Sequence, residues 1–528
     1  MKPISLITCC RYVLIGWFFC GISPLPAQTV ITNFAGLNYY DIAPISGFTT
    51  PPDTMGAAGT NHFVEFINGG FAVYDKTGAR SSLISDTAFW PNAGISQATI
   101  AAGLTDPRII FDAQSGRWFA TELTLDTTGN KILVGRSDTA DPSGPWKALS
   151  FTANSGFGDF DTLGVDATGV YIGVDDFDAT NNFTGVSMFS IPKSDLIASP
   201  PTLARMTKFE NLDDLTYGFT LQGVSNPDAG PGHGLFIAID NAAYGYIDRT
   251  TINGSGAAGA TLGARVRIST VYDAYPNPAV MPSGQTVDAS DDRFTSAIKQ
   301  IGGYVYMANT VSNAVLQGGQ DAVHWLVLNE TNNTIIGEGL ISDSNYDFFQ
   351  PAIAANHNGK ILLSFNRSGT LSPAGNISIY AAVGTLAHGA ITMGAPFLLK
   401  QGQTGTYSVS GDTQPFRWGD YSATMVDPTD DDLFWTIQEI PNSATSWGTQ
   451  VFLISMATNR PALAIAPSGN NVQLSWPLST DRAYQLQTTT DLASGNWSSV
   501  TNVPAVVINQ NVVTLNQNGP AAFYRLAK

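Results

Sequence analysis

One cadence recurs along this chain and constrains its fold more than any other feature: an apolar run ends at an Asp, a short Gly-containing turn follows, and an aromatic strand returns. The clearest instance is Asp106-Pro107-Arg108-Ile109-Ile110-Phe111-Asp112, then Ala113-Gln114-Ser115-Gly116, then Arg117-Trp118-Phe119-Ala120-Thr121. This is a β-hairpin with its turn chemistry in place. Related cadences begin near Asp53, Asp161, Gln222, Arg293, Gln350 and Asp420, so seven units are expected. Their spacing of roughly 50 to 70 residues exceeds that of compact tryptophan-aspartate repeats, which predicts sizeable loops on the faces.

A single sheet built from such hairpins would expose two apolar faces, and radial packing of successive sheets covers both. The chain therefore reads as all-β, with a seven-bladed β-propeller over 28–458. Six or eight blades, or two face-packed sheets, are the alternatives. The stretch from Thr29 to Tyr40 is expected to add an outer strand to the last blade and so close the ring. Gly 52 and Pro 29 suit many turns between short strands, and apolar residues at 43% against charged at 13% argue against disorder. From 459 to 528 the character changes. Asn471-Val472-Gln473-Leu474-Ser475-Trp476, Tyr484-Gln485-Leu486-Gln487-Thr488 and Phe523-Tyr524-Arg525-Leu526 alternate as strands of a small C-terminal β-sandwich do.

The first 27 residues read as a signal peptide. Lys2 and Arg11 supply charge, Tyr12 to Ile22 is mostly apolar, and Leu25-Pro26-Ala27 reads as a cleavage site before Gln28. The apolar run is too short to span a bilayer, so no transmembrane segment is expected after cleavage. Cys9, Cys10 and Cys20 are the only cysteines and all fall in this stretch. The mature chain is thus expected to lack disulfides, thiolate catalysis and cysteine-ligated metal. Loss of Lys2 and Arg11 takes the formal charge from -17 to -19, which disfavours nucleic acid as a partner.

In a propeller the innermost strand of each blade starts near the axis. Asp53, Asp106, Asp161, Gln350 and Asp420 are assigned to that point and would ring the channel mouth. Asp53, Asp106, Asp161 and Asp420 are accordingly the candidate metal ligands, and Ca²⁺ is the cofactor that such oxygen donors suit. Repeated turn-capping by Asp explains the same pattern without a metal. Asp159, Asp161, Asp175, Asp176 and Asp178 form a second acidic concentration but lack the glycine and final glutamate of an EF-hand loop, and Asp430-Asp431-Asp432 reads as a hairpin turn. His62, His233, His324, His357 and His388 show no ligand spacing, and no nucleophile elbow or phosphate loop occurs. Phe89-Trp90, Trp146, Tyr346, Phe348-Phe349, Phe416, Trp418 and Trp447 offer rings for stacking on sugars or for packing between blades.

Asp106-Pro107-Arg108 and the Ser/Asp-rich turns resemble the blades of secreted bacterial propellers in the broad sialidase-like and exported-repeat group. The tail, with Tyr484 to Leu492, Trp497 and Phe523-Tyr524-Arg525-Leu526, resembles the C-terminal module of exported proteins from Verrucomicrobia-like bacteria, which implies export or surface retention. A sialidase-like site would need three arginines, for which Arg108, Arg293, Arg367 and Arg417 are candidates, with a tyrosine-glutamate pair and an acid. The Ser-x-Asp-x-Gly-x-Thr-Trp turn of that group is incomplete here, Ser143-Gly144-Pro145-Trp146 being a distant echo. The reading that follows is a secreted, cell-surface or cell-envelope binding protein for a glycan or protein ligand. Its candidate ligand-binding residues are Asp106, Arg108, Arg293, Gln350, Arg417 and Trp418. The alternative is a glycoside hydrolase or polysaccharide lyase at the channel mouth.

Overall fold

The structure is a computed structural model that describes residues 28–153, 156–228, 232–271, 274–312, 319–409, 411–457, 463–469, 471–477, 484–491, 496–507, 510–516 and 522–527. The signal expected at 1–27, with its three cysteines, and the domain boundary expected at 459 lie outside the described residues. No described helix is long and apolar enough to cross a membrane.

The protein is nearly all β, and its sheets follow the cadence seen in the sequence. Among the described residues, seven antiparallel sheets of four or five strands precede the tail in chain order, beginning with Gly56–Ala58, Leu104–Asp112, Phe157–Val165, Phe219–Gly223, Lys299–Ile301, Tyr346–Ala355 and Ala423–Asp427. The second is representative: Leu104–Asp112, Arg117–Thr124, Lys131–Ser137 and Trp146–Thr152 each pair with the next. Because consecutive strands pair, each sheet needs only hairpin turns, which the Gly, Asn and Asp residues supply.

Apolar side chains join each sheet to the next. Phe119, Leu123 and Val134 of the second meet Leu163, Ile172 and Phe189 of the third. Tyr171, Val186 and Met188 of the third meet Leu221, Phe236 and Ile252 of the fourth. Ile237 and Ile247 meet Met307 and Leu326 of the fifth, whose other face places Val323 and Val327 on Ile353 and Leu363 of the sixth. Leu362 and Ile379 pack on Phe434 and Phe452 of the seventh, and Trp435 and Val451 of the seventh lie in one core with Phe63, Val73 and Trp118 of the first two. Every sheet thus buries both faces, and the circuit of contacts returns to its start. At the third-fourth seam the backbones touch: a Cβ on Gly164 would lie 2.4 Å from the carbonyl carbon of Gly223.

The circuit is tied by the beginning of the described chain. Thr29–Asn38 pairs antiparallel with Ser446–Ser455, from Thr29 opposite Ser455 to Asn38 opposite Gly448, as the sequence suggested for this stretch. Glu65, fully buried in the first sheet, reaches across the join. Its carboxylate accepts the backbone N–H of Leu37 at 3.0 Å, the Tyr74 hydroxyl at 2.9 Å and the Thr449 hydroxyl.

The leading strands, or residues next to them, from all seven sheets line one cavity of about 550 Å³. The tail holds a four-stranded and a three-stranded sheet. Val472, Leu474, Trp476, Leu486 and Val513 form their own buried cluster.

Candidate functional site at the mouth and an adjoining groove

The sheets begin at the mouth with an irregularity that the sequence shows only in part. The pairing register slips between Thr105 and Arg108, Asp159 and Thr162, Phe219 and Gln222, and Phe349 and Ala352. Each slip holds a residue of positive φ: Asp106 at 59°, Phe160 at 51°, Thr220 at 51° and Gln350 at 52°. Such a bulge leaves the following residue unpaired, so Pro107 and Pro351, which lack an N–H, are tolerated there. Asp53 has the same backbone, with φ 46°. Asp accepts this left-handed conformation more readily than Phe, Thr or Gln, in which it stores strain.

Three of the four expected metal ligands converge. Carboxylate oxygens of Asp53, Asp106 and Asp420 lie within 4.8 Å of one another, bringing together the entrances of the seventh, first and second sheets. Asn68 stitches two of them, its amide donating to Asp53 at 2.6 Å while its oxygen accepts the Asp106 N–H at 3.0 Å. Asp53 also accepts the Asp420 N–H at 2.8 Å. Burial, with repulsion from neighbouring carboxylates, pushes Asp53 well up and Asp106 to about 7.

The fourth expected ligand does not join them. Phe160, not Asp161, occupies the position equivalent to Asp106. One step along the bulge, Asp161 turns into the second-third seam, where it accepts the Thr121 hydroxyl. Burial raises it to about 8.

The arginines are engaged. Arg108 stacks on Tyr421 at 3.4 Å and donates from Nε to the Asp161 carbonyl at 2.7 Å. Arg417 holds both Asp420 oxygens at 3.1 Å. Arg293 is bidentate to Asp291 and lies over Phe160 at 4.4 Å. Arg367 lies between Tyr346 and Tyr380 and donates to the Ala374 carbonyl. Arg108 and Arg293 both lie over Phe160, at 4.8 and 4.4 Å, while Arg367 is held apart between its two tyrosines.

Trp418 corrects the ligand-binding set: it is 1% exposed, donates to Asn366 at 3.2 Å, and packs edge-on against Tyr407 and Phe349. Gln350 is buried on its bulge, with neither side-chain polar atom hydrogen-bonded to protein. Phe89, Trp90, Trp146, Phe348, Phe349, Phe416 and Trp447 are likewise buried and serve packing, whereas Tyr346 is half-buried and stacks on Arg367. Asp178 caps a hairpin turn through Thr180 and Asn182.

Open rings occur elsewhere. Beside the mouth a groove of about 510 Å³ lies over the third and fourth sheets, walled by the Phe177–Phe183 hairpin, the 240–244 turn, Tyr275 and the 291–293 segment. Phe183, Tyr244 and Tyr275 are 38%, 62% and 57% exposed there. Asp175, Asp240, Asp291 and Asp292 stand among them, with Arg293 at the junction to the mouth. Asp175 accepts the Thr220 N–H and hydroxyl at 2.7 and 2.8 Å, and burial raises its pKa to about 6 against the pull of Arg293. Of the residues singled out in the sequence, Arg293 and Asp175 belong to this groove. Asp291-Asp292 and the Gly-flanked Tyr244 were visible as an acidic pair and a turn aromatic, but loop residues so far apart carry no shared spacing.

No family model and no curated protein matches the chain. Solved structures similar to it include a mutant of the Cellvibrio cellulosa alpha-L-arabinanase, with 10% identity, TM-score 0.31, and 65% of this chain and 94% of that one covered. The Trypanosoma rangeli sialidase has 13% identity and TM-score 0.32, covering 67% and 54%. The WD40 domain of Neurospora crassa Pan2 has 10% identity and TM-score 0.33, covering 66% and 89%. Likenesses at this level carry no argument about the site.

Proposed function

We propose that this is an exported, noncatalytic binding protein that takes a neutral glycan into the groove beside the mouth. In this reading the seven sheets are the blades of a seven-bladed β-propeller over 28–458, and 459–528 is a C-terminal sandwich that retains the protein at the cell surface or envelope. The observation that carries the reading is the set of three exposed rings, Phe183, Tyr244 and Tyr275, standing with four carboxylates in one groove. Aromatic faces stack on the apolar face of a sugar, while carboxylates accept from its hydroxyls. Asp291 is bound by Arg293 and Asp240 by Arg265 and Arg267, so the groove's four carboxylates outnumber these three arginines and an anionic sugar would meet net repulsion.

The hydrolase alternative draws on the carboxylates of Asp53, Asp106 and Asp420, whose raised pKa values at two positions suit acid-base chemistry. These side chains line neither cavity described above, and each already has a hydrogen-bonded partner, which favours a joint between three sheets. Calcium is proposed only for that trio, as a hard cation taking oxygen donors. A thermal-shift screen of the whole protein against neutral and acidic oligosaccharides and against calcium alone, with reducing ends assayed in parallel, tests all three readings. A melting-temperature rise with a neutral glycan and no released ends is expected. No response to any glycan, or release of reducing ends, overturns the binding reading.

A further inference from the structure

The cavity lined by the leading strands or residues next to them has a chemistry unlike that of the groove. Met55, Ile109, Ile110, Ile301, Ala355 and Met425 give it apolar walls. Into it reaches Lys299, whose nitrogen donates to the Thr424 carbonyl at 2.9 Å. No carboxylate pairs with this lysine among the described residues, whereas its lining neighbours are provided for. Asp112 pairs with Lys193 at 2.9 Å and Asp427 with Lys76 at 2.5 Å. At the rim His357 bridges Asp228 at 2.7 Å and Asp431 at 3.3 Å, and Asp430 stands beside them. An amine in an apolar chamber is held there at a desolvation cost that a matching anion would repay.

We propose that this chamber is a second binding site, for an amphipathic monocarboxylate whose tail lies on the apolar walls and whose carboxylate is held by the Lys299 ammonium. Charge complementarity selects this occupant: one cation without a carboxylate partner, one cavity of about 550 Å³, and inner-wall carboxylates Asp112 and Asp427 each paired with a lysine, Asp430 and Asp431 standing at the rim. Burial brings the Lys299 pKa down to about 7, so the amine takes up a proton as the anion enters and affinity weakens as pH rises. His357 is raised, chiefly by its bond to Asp228, and titrates at the rim; it is the group to separate from Lys299 in a pH profile.

The test is calorimetric titration of the whole protein with octanoate at pH 6.5, where the probe is ionised, beside 1-octanol, which has the same tail without charge. Octanoate is expected to bind saturably, with octanol at least tenfold weaker. Lys299→Met should lower octanoate affinity at least tenfold and flatten its decline between pH 6.5 and 9, while Lys299→Arg keeps affinity within a few-fold. Equal binding of octanoate and octanol, no octanoate binding, or unchanged affinity in Lys299→Met overturns the proposal. Should Lys299→Met not fold, the octanoate-to-octanol ratio and the pH profile of the unaltered protein decide in the same way.

Discussion

Replacing Glu65 with Gln should make the protein less sensitive to rising pH, because this carboxylate is buried where the first strand closes the circuit of sheets. Burial raises its pKa from the ordinary 4.5 to about 7, against the pull of Thr449, Tyr74 and Leu37. The folded protein therefore holds a proton at Glu65 that the unfolded chain releases between those values. The associated stability is fully present below 4.5 and is lost as pH rises through 7. At about 1.4 kcal/mol per pKa unit the loss is about 3 kcal/mol. Gln has the same shape and stays neutral: its oxygen can accept the Leu37 N–H while its amide donates to the Tyr74 or Thr449 oxygen. Urea unfolding of both proteins at several pH values isolates the residue, since the other buried carboxylates cancel in the difference. Near pH 4.5 the two should lie within about 1 kcal/mol, and above pH 7.5 the variant should be the more stable by about 2 to 3 kcal/mol. A difference that stays constant across this range, or grows in favour of Glu65, refutes the argument.

The same reasoning applies at the mouth, where Asp106→Asn should gain on the unaltered protein in urea melts as pH rises from about 4 to about 7, since Asp106 is raised to about 7. Gly164→Ala, whose Cβ would lie 2.4 Å from the Gly223 backbone, should cost about 2 kcal/mol or more, read as a lower melting temperature. Trp418→Ala should cost about 3 to 5 kcal/mol as a core truncation, measured by urea unfolding, and leave glycan affinity in any folded fraction unchanged.

The hairpin cadence announced the sheets because each hairpin carries its own turn chemistry, and the outer strand at Thr29 was legible from its position before the first unit. The mouth was legible to within one residue. Asp53, Asp106 and Asp420 converge, but the bulge position in the third unit is filled by Phe160, so Asp161 was assigned to a place it misses by one step. A left-handed residue need not be Asp when neighbouring strands enforce the bulge, and that enforcement lies in pairing rather than in residue type. Trp418 was misjudged for a related reason, since its partner Asn366 is set by packing, and packing likewise sets the partners Tyr421 of Arg108 and Asp291 of Arg293. The groove draws on segments from Asp175 to Arg293, and only folding brings its rings together.

The most direct measurement is a calorimetric titration of one neutral oligosaccharide, chosen from the screen, into the unaltered protein and into Tyr244→Ala/Tyr275→Ala. The account predicts saturable binding by the first, at least tenfold weaker binding by the second, and equal melting temperatures for the two exposed-ring forms. Equal affinity in both proteins would contradict it, since the sugar would then lie somewhere other than on these rings.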